Sequence, residues 1–176
     1  HWESEQLAWQ PAADIEAWLE FTEQTAEKFL SGGLLPPKSL CVENLSYDYA
    51  LIWPIVRRLG LSVCLDVGHI WNSCGNLFPF MSELWPKVGA IHLHGVNSQL
   101  GQDHIGLQPE NRKNLRLFVS ELLDFLPRRS LAEGPLPLTF EVFSPIDWQI
   151  CWQEFRCSHP LLRICRHPKL AAFGTF

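Results

Sequence analysis

Seven residues of this chain stand out as candidate metal ligands: Glu43, Asp66, His69, His92, Asp103, His104 and Glu141, with His94 beside them. Their placement matters more than their number. Asp66 and His69 form an Asp-x-x-His pair at the end of the apolar run LSVCLDVGH, and three other short apolar runs, SLCVENL, AIHLHGV and LTFEVF, carry Glu43, His92 with His94, and Glu141 near their C-terminal ends. An unpaired carboxylate in an apolar strand costs several kcal/mol or takes up a proton, so strands that end this way need a shared compensation. A divalent cation supplies it. Carboxylate and imidazole donors without thiolate suit zinc, manganese, iron or cobalt(II), with zinc or manganese the first expectation. The candidates outnumber the ligands of one tetrahedral ion. Two or more ions would use them all, or one ion would leave Glu43, His94, His104 and Glu141 for acid/base work.

The elements that must position these residues follow from periodicity. Side chains alternate across a strand, which places Cys64 and Asp66 on one face, Cys41 and Glu43 on one face, and His92 with His94 on one face, opposite the bulky apolar residues. Strands are expected over residues 39–45, 61–69, 90–95 and 138–143. Helical periodicity and punctuation place helices over residues 11–30, 47–59, near 76–85, over 110–125, and after Ser144, whose hydroxyl caps a helix with Pro145 in its first turn. Residues 96–109 read as a polar loop carrying Asp103 and His104. Residues 157–176 show no period and are expected as a C-terminal tail to a domain over residues 1–156.

Alternating short strands and amphipathic helices predict an α/β fold with a parallel sheet. An open doubly wound sheet advertises a glycine-rich phosphate loop after its first strand, and this chain has none. In a (β/α)8 barrel, residues at the C-terminal strand ends converge on one axial site, as the candidate ligands require. Only four or five strand units are visible and the chain begins at His1 rather than Met. The expectation is a (β/α)8 TIM barrel lacking its first two or three strands.

Composition narrows the function classes. A 47% hydrophobic and 19% charged chain of 176 residues is long enough for one sizeable core. It has neither an eighteen-residue apolar run nor a secretion signal, so no membrane partner and a cytoplasmic location are expected. A net charge of -5 with no basic cluster argues against a nucleic-acid partner. The six cysteines include no C-x-x-C pair and read as reduced thiols, and the eight tryptophans read as core filler.

The succession VENL, LDVGH, IHLHG, DHIGL and FEVF resembles the superfamily of xylose isomerase-like barrels and metal-dependent apurinic/apyrimidinic endonucleases. Within it the chain is most similar to the cobamide-remodelling phosphodiesterase family, CbiR, over roughly residues 39–150. The resemblance implies a metal-bridging Glu43, the ligand pair Asp66 and His69, ligand His92, loop ligands Asp103 and His104, and ligand Glu141. It implies a small-molecule substrate, a cobamide such as a vitamin B12 form, whose nucleotide-loop phosphodiester is hydrolysed to release cobinamide. Glu43 and Glu141 would hold metal or take a proton, His94 or His104 would donate one, and Trp71 and Trp85 would line a pocket for the corrin ring. Two features depart from the endonuclease pattern: Asp103 and His104 are adjacent where it has Asp-x-His, and His94 replaces its usual Asn. The competing expectations are a sugar isomerase or epimerase, an abasic-site endonuclease, and a non-catalytic corrinoid-binding fragment.

Overall fold

The computed structural model describes residues 15–45, 47–72, 82, 84–129, 134–159 and 170–174. The chain is an α/β protein built on a five-stranded, wholly parallel sheet. In chain order the elements are α1 (Ile15–Ser31), β1 (Cys41–Glu43), α2 (Trp53–Leu59), β2 (Ser62–Asp66), α3 (Val67–Asn72), β3 (Val88–Leu93), β4 (Gly95–Asn97), β5 (Gln102–Ile105), α4 (Arg112–Phe125), β6 (Leu136–Phe140), α5 (Pro145–Ser158) and β7 (Leu170–Gly174). The sheet order is β1-β2-β3-β6-β7, so sheet neighbours follow one another along the chain, while β4 and β5 form a separate antiparallel pair.

Sequential order has a physical consequence. Right-handed crossovers between successive parallel neighbours lay every connecting helix on the same face of the sheet. The packing agrees: Leu65, Ile91, Leu93, Leu136, Leu138 and Phe140 form one buried core with Leu115, Phe118, Val119 and Leu122 of α4 and Cys151 and Phe155 of α5. Val63 packs in a second cluster with Ala26 of α1 and Ile55 and Val56 of α2. The opposite face of the same strands carries Glu43, Cys64, Asp66, His92 and Thr139, because side chains paired across a parallel ladder share a face and the register aligns Glu43 with Cys64, Asp66 with His92, and His92 with Thr139.

Several boundaries differ from the sequence reading. The second strand ends at Asp66, and α3 begins at Val67, so His69 projects from a helix. The polar stretch over residues 96–109 contains the β4–β5 hairpin. β4 is largely buried and β5 half-exposed, both too short to show the apolar alternation that marks a strand, and Asn97 closes the turn by accepting from the Leu100 amide at 3.2 Å. Part of the expected tail forms β7, paired in parallel with β6. The helix expected near residues 76–85 lies largely outside the described residues, while Ser144 caps α5 as expected, accepting from the Asp147 amide at 3.0 Å. Cys41, Cys64 and Cys151 are free thiols. Among the described residues no helix is long and apolar enough to cross a membrane.

Candidate metal centre

The ends of β1, β2, β3 and β6 deliver their polar residues to one place, and each is locally anchored. Glu43 closes the three-residue β1, which is pinned by Tyr47 and Tyr49 hydroxyls donating to the carbonyls of Glu43 and Val42 at 2.5 and 3.1 Å. Asp66 closes β2 and serves as the N-terminal cap of α3, its Oδ1 accepting from the His69 amide at 2.8 Å. Asn44 then clamps the two strand ends together. Its Nδ2 donates to the Asp66 carbonyl at 2.9 Å and its Oδ1 accepts from the Asp66 amide at 2.8 Å, completing the ladder with a side chain.

Three overlapping donor sets result, and two of them share Asp66. Glu43, Asp66, His92 and Glu141 form one, and Asp66, His69, His94 and His104 the other, each with its donor atoms within 4.8 Å of one another. In the first, His92 Nδ1 lies 2.6 Å from Glu43 Oε1, 2.7 Å from Glu141 Oε2 and 4.0 Å from Asp66 Oδ2. In the second, Asp66 stands 3.2 Å from His94 Nε2 and 4.0 Å from His69 Nε2. Asp66 is common to these two sets, and Glu43 and His92 are common to the first and a third set that adds Cys64.

The chemistry of these donors fits divalent ions. Asp66 Oδ2, His94 Nε2 and Glu141 Oε2 are buried without a hydrogen bond: Glu141 Oε2 lies 2.7 Å from His92 Nδ1 and His94 Nε2 3.2 Å from Asp66 Oδ1, whereas Asp66 Oδ2 stands 4.0 Å from the ring nitrogens of His69 and His92, beyond hydrogen-bond reach. Side-chain atoms that converge without bonding one another are placed to bond a third party. Burial alone would raise the Asp66 pKa, but His94 and then His69 hold the carboxyl below its ordinary range. The close His92 ring likewise lowers that of Glu141. Burial disfavours a charged His92, yet Cys64, Glu141 and Glu43 outweigh it and push its pKa up to about 12.

No protein-family model, curated protein or solved structure matches this chain. The geometry alone therefore sorts the residues singled out by sequence. Asp103 leaves the ligand set: its side chain is 43% exposed and lies 3.1 Å from His104 Nδ1, on the ring nitrogen facing away from Glu141. A carboxylate there fixes the ring and its tautomer, the usual support for a ligating histidine. His104 pays for its position with a left-handed backbone, φ 53°, which costs a non-glycine residue about 1 kcal/mol. His94 is fully buried, its ring stacked on that of His104 at 4.2 Å and edge-on to His69, which makes it a ligand or a wall rather than a donor to substrate. Trp71 belongs to the core, and Trp85 packs on Phe125 just before β3 begins, at the end of the sheet opposite the site. Neither lines this site.

Gly68 explains the glycine inside the Asp-x-x-His pair. A Cβ there would stand 2.2–2.4 Å from three atoms of the His94 ring, which is trapped against His104. Gly68→Ala is expected to destabilise the protein by about 2 kcal/mol through overpacking. It should also shrink any rise in melting temperature produced by adding zinc, read by thermal unfolding with zinc and with EDTA.

Proposed function

We propose that this chain is the site-bearing arc of a (β/α)8 barrel of the xylose isomerase-like type and acts as a metal-dependent phosphodiesterase. Its substrate is a cobamide, opened at the nucleotide-loop phosphodiester to release cobinamide. The observation that carries the reading is the pair of donor sets sharing Asp66 at the C-terminal ends of adjacent parallel strands. Such convergence is where barrel enzymes place their chemistry, and sequential strand order with all helices on one face is the barrel's connectivity.

Bound divalent ions would neutralise charge on the phosphoryl oxygens and make an attacking water acidic enough to act near neutral pH. The protein's own residues do the rest. Glu43 and Glu141 are partly exposed and flank His92, placed to accept the proton that the attacking water gives up. His104, steadied by Asp103 and only partly buried, would stand beside the leaving oxygen from its place in the second donor set. Beside it Phe143 is 80% exposed and stacked on the His104 ring at 5.4 Å, with Ile146 also exposed nearby in the chain. An exposed aromatic next to charged donors suits a planar ring of the substrate. Phe143→Ala is expected to raise KM about tenfold with little change in kcat, the size of one lost aromatic stack, measured by steady-state kinetics.

The test of the activity is incubation of the purified chain with a cobamide and zinc or manganese, products being read by mass spectrometry beside an EDTA-treated sample. Metal-dependent cobinamide with a nucleoside phosphate is the expected result, and intact cobamide from a metal-loaded protein would overturn the substrate assignment. The Glu43 and Glu141 pair across His92 favours one second reading, a sugar isomerase or epimerase moving a proton beside a carbonyl. Turnover of keto-sugars by the same preparation would establish it.

A further inference from the structure

We propose that the Cys64 sulfur is a ligand of a metal position it shares with Glu43 and His92, which makes that position a mixed sulfur, nitrogen and oxygen site selecting zinc or cobalt(II) over manganese or magnesium. This inference rests on the metal reading above and specifies which ion it takes.

Cys64 lies on the site face of β2, two residues before Asp66, with Glu43 directly across the ladder on β1 and Ala90 across it on β3. Ala90 leaves room, and the His92 imidazole from the next step of β3 meets the thiol. The Cys64 sulfur, a Glu43 oxygen and a His92 nitrogen all lie within 4.8 Å of one another, the third of the donor sets described above. A separate observation points to a cation beside His92, which this set shares with the Asp66 set. Asp66 is 0% exposed, and its Oδ2 has no hydrogen bond while standing 4.0 Å from His92 Nδ1. A purely structural cysteine is as well served by the apolar face of β2, where Val63 and Leu65 meet the helices. Cys64 instead points among carboxylates and imidazole.

Coordination replaces the S–H bond by a sulfur–metal bond, and the proton leaves to solvent. Thiolate is a soft donor that strengthens binding of zinc and cobalt(II) and contributes little to manganese or magnesium, which prefer oxygen. The selectivity follows from one side chain.

Cobalt(II) added to the full chain tests this, because sulfur-to-cobalt charge transfer absorbs in the near ultraviolet whereas d–d bands in the visible report any coordination. The expected wild-type spectrum has both. Cys64→Ser and, as a second variant in case the hydroxyl disturbs packing, Cys64→Ala should lose the near-ultraviolet band and keep the visible ones, while Cys41→Ser keeps both. Zinc affinity should fall about a hundredfold in the Cys64 variants with manganese affinity within about threefold of wild type. Visible bands without the near-ultraviolet band in the wild type, or a band that survives loss of Cys64, would overturn the sulfur ligand and leave the metal centre standing. No cobalt uptake by the wild type would overturn both.

Discussion

Asp66→Ala is expected to leave the protein unable to load metal at either donor set that contains it and to lower phosphodiester hydrolysis by about a thousandfold or more, the loss that follows when about 4 kcal/mol of charge stabilisation is removed. Asp66 is the residue both sets share, and its Oδ2 is buried with no other use. Its Oδ1 has a second duty as the cap of α3. Alanine therefore removes a ligand and a cap together, the cap contributing about 1 kcal/mol to stability. Asp66→Asn separates the two effects, since the amide oxygen still accepts from the His69 amide while the charge is gone. It should melt close to the metal-free wild type and still fail to bind zinc. His69→Ala and Glu141→Ala each strip one set only, so each should retain part of the bound metal while losing hydrolysis. Bound metal is read by elemental analysis after gel filtration, and activity by release of cobinamide. Wild-type metal content in Asp66→Asn would remove the site assignment, whatever the activity.

The architecture was legible where burial enforces a period. The helix over Arg112–Phe125 and the Ser144 cap stand out because one face of the helix packs entirely on the sheet and the cap is a local hydrogen bond. The parallel sheet followed from apolar runs alternating with helices. What escaped was the structure that owes little to hydrophobic patterning. The β4–β5 hairpin has strands of three and four residues whose pairing depends on the turn at Asn97 to Gly101, and β7 is fixed by its partner β6 rather than by its own composition. The start of α3 was hidden for another reason. Val67 and Gly68 extend an apolar run that reads as strand, and only the capping bond from Asp66 turns the chain into a helix.

The candidate site was legible as a set of residue types on one strand parity, and the register then brought Glu43, Asp66, His92 and Glu141 together. Its supporting parts were not. Asn44 acts on the backbone of a strand twenty-two residues away, and that reach depends on β1 and β2 being neighbours. Its signal was an amide immediately after a ligand at a strand end. Adjacent Asp103 and His104 could not be told apart by spacing, whereas the left-handed His104 backbone sends their side chains to different tasks. Trp71 and Trp85 show the converse error. Trp71, two residues after His69 in α3, turns into the core, and Trp85 precedes β3 at the other end of the sheet.

In EDTA the protein is expected to be most stable between about pH 4.5 and pH 6.5, and zinc should move that optimum upward. The His92 pKa is raised from its ordinary 6.5 to about 12, burial being outweighed by Cys64, Glu141 and Glu43. His94 is raised too, burial there being outweighed by Asp66. A group raised on folding contributes stability that is complete below its unfolded pKa and is lost as pH climbs through the folded one, so the metal-free protein weakens progressively above about pH 6.5. Asp66 and Glu141 are lowered from 3.8 and 4.5, and their contributions are present above those values and lost as pH falls. Metal reverses the alkaline limb. An ion needs the neutral imidazole, so its binding expels the very proton that stabilises the metal-free site, and its affinity rises with pH. Zinc at about a thousand times its dissociation constant would add about 4 kcal/mol near neutrality and far less near pH 5. Melting temperatures from about pH 4 to about pH 9, with EDTA and with zinc, give both curves. His92→Gln should flatten the alkaline limb in EDTA and blunt the zinc effect. Curves in EDTA that stay level above about pH 6.5, with a zinc increment independent of pH, would mean that no imidazolium occupies the metal position.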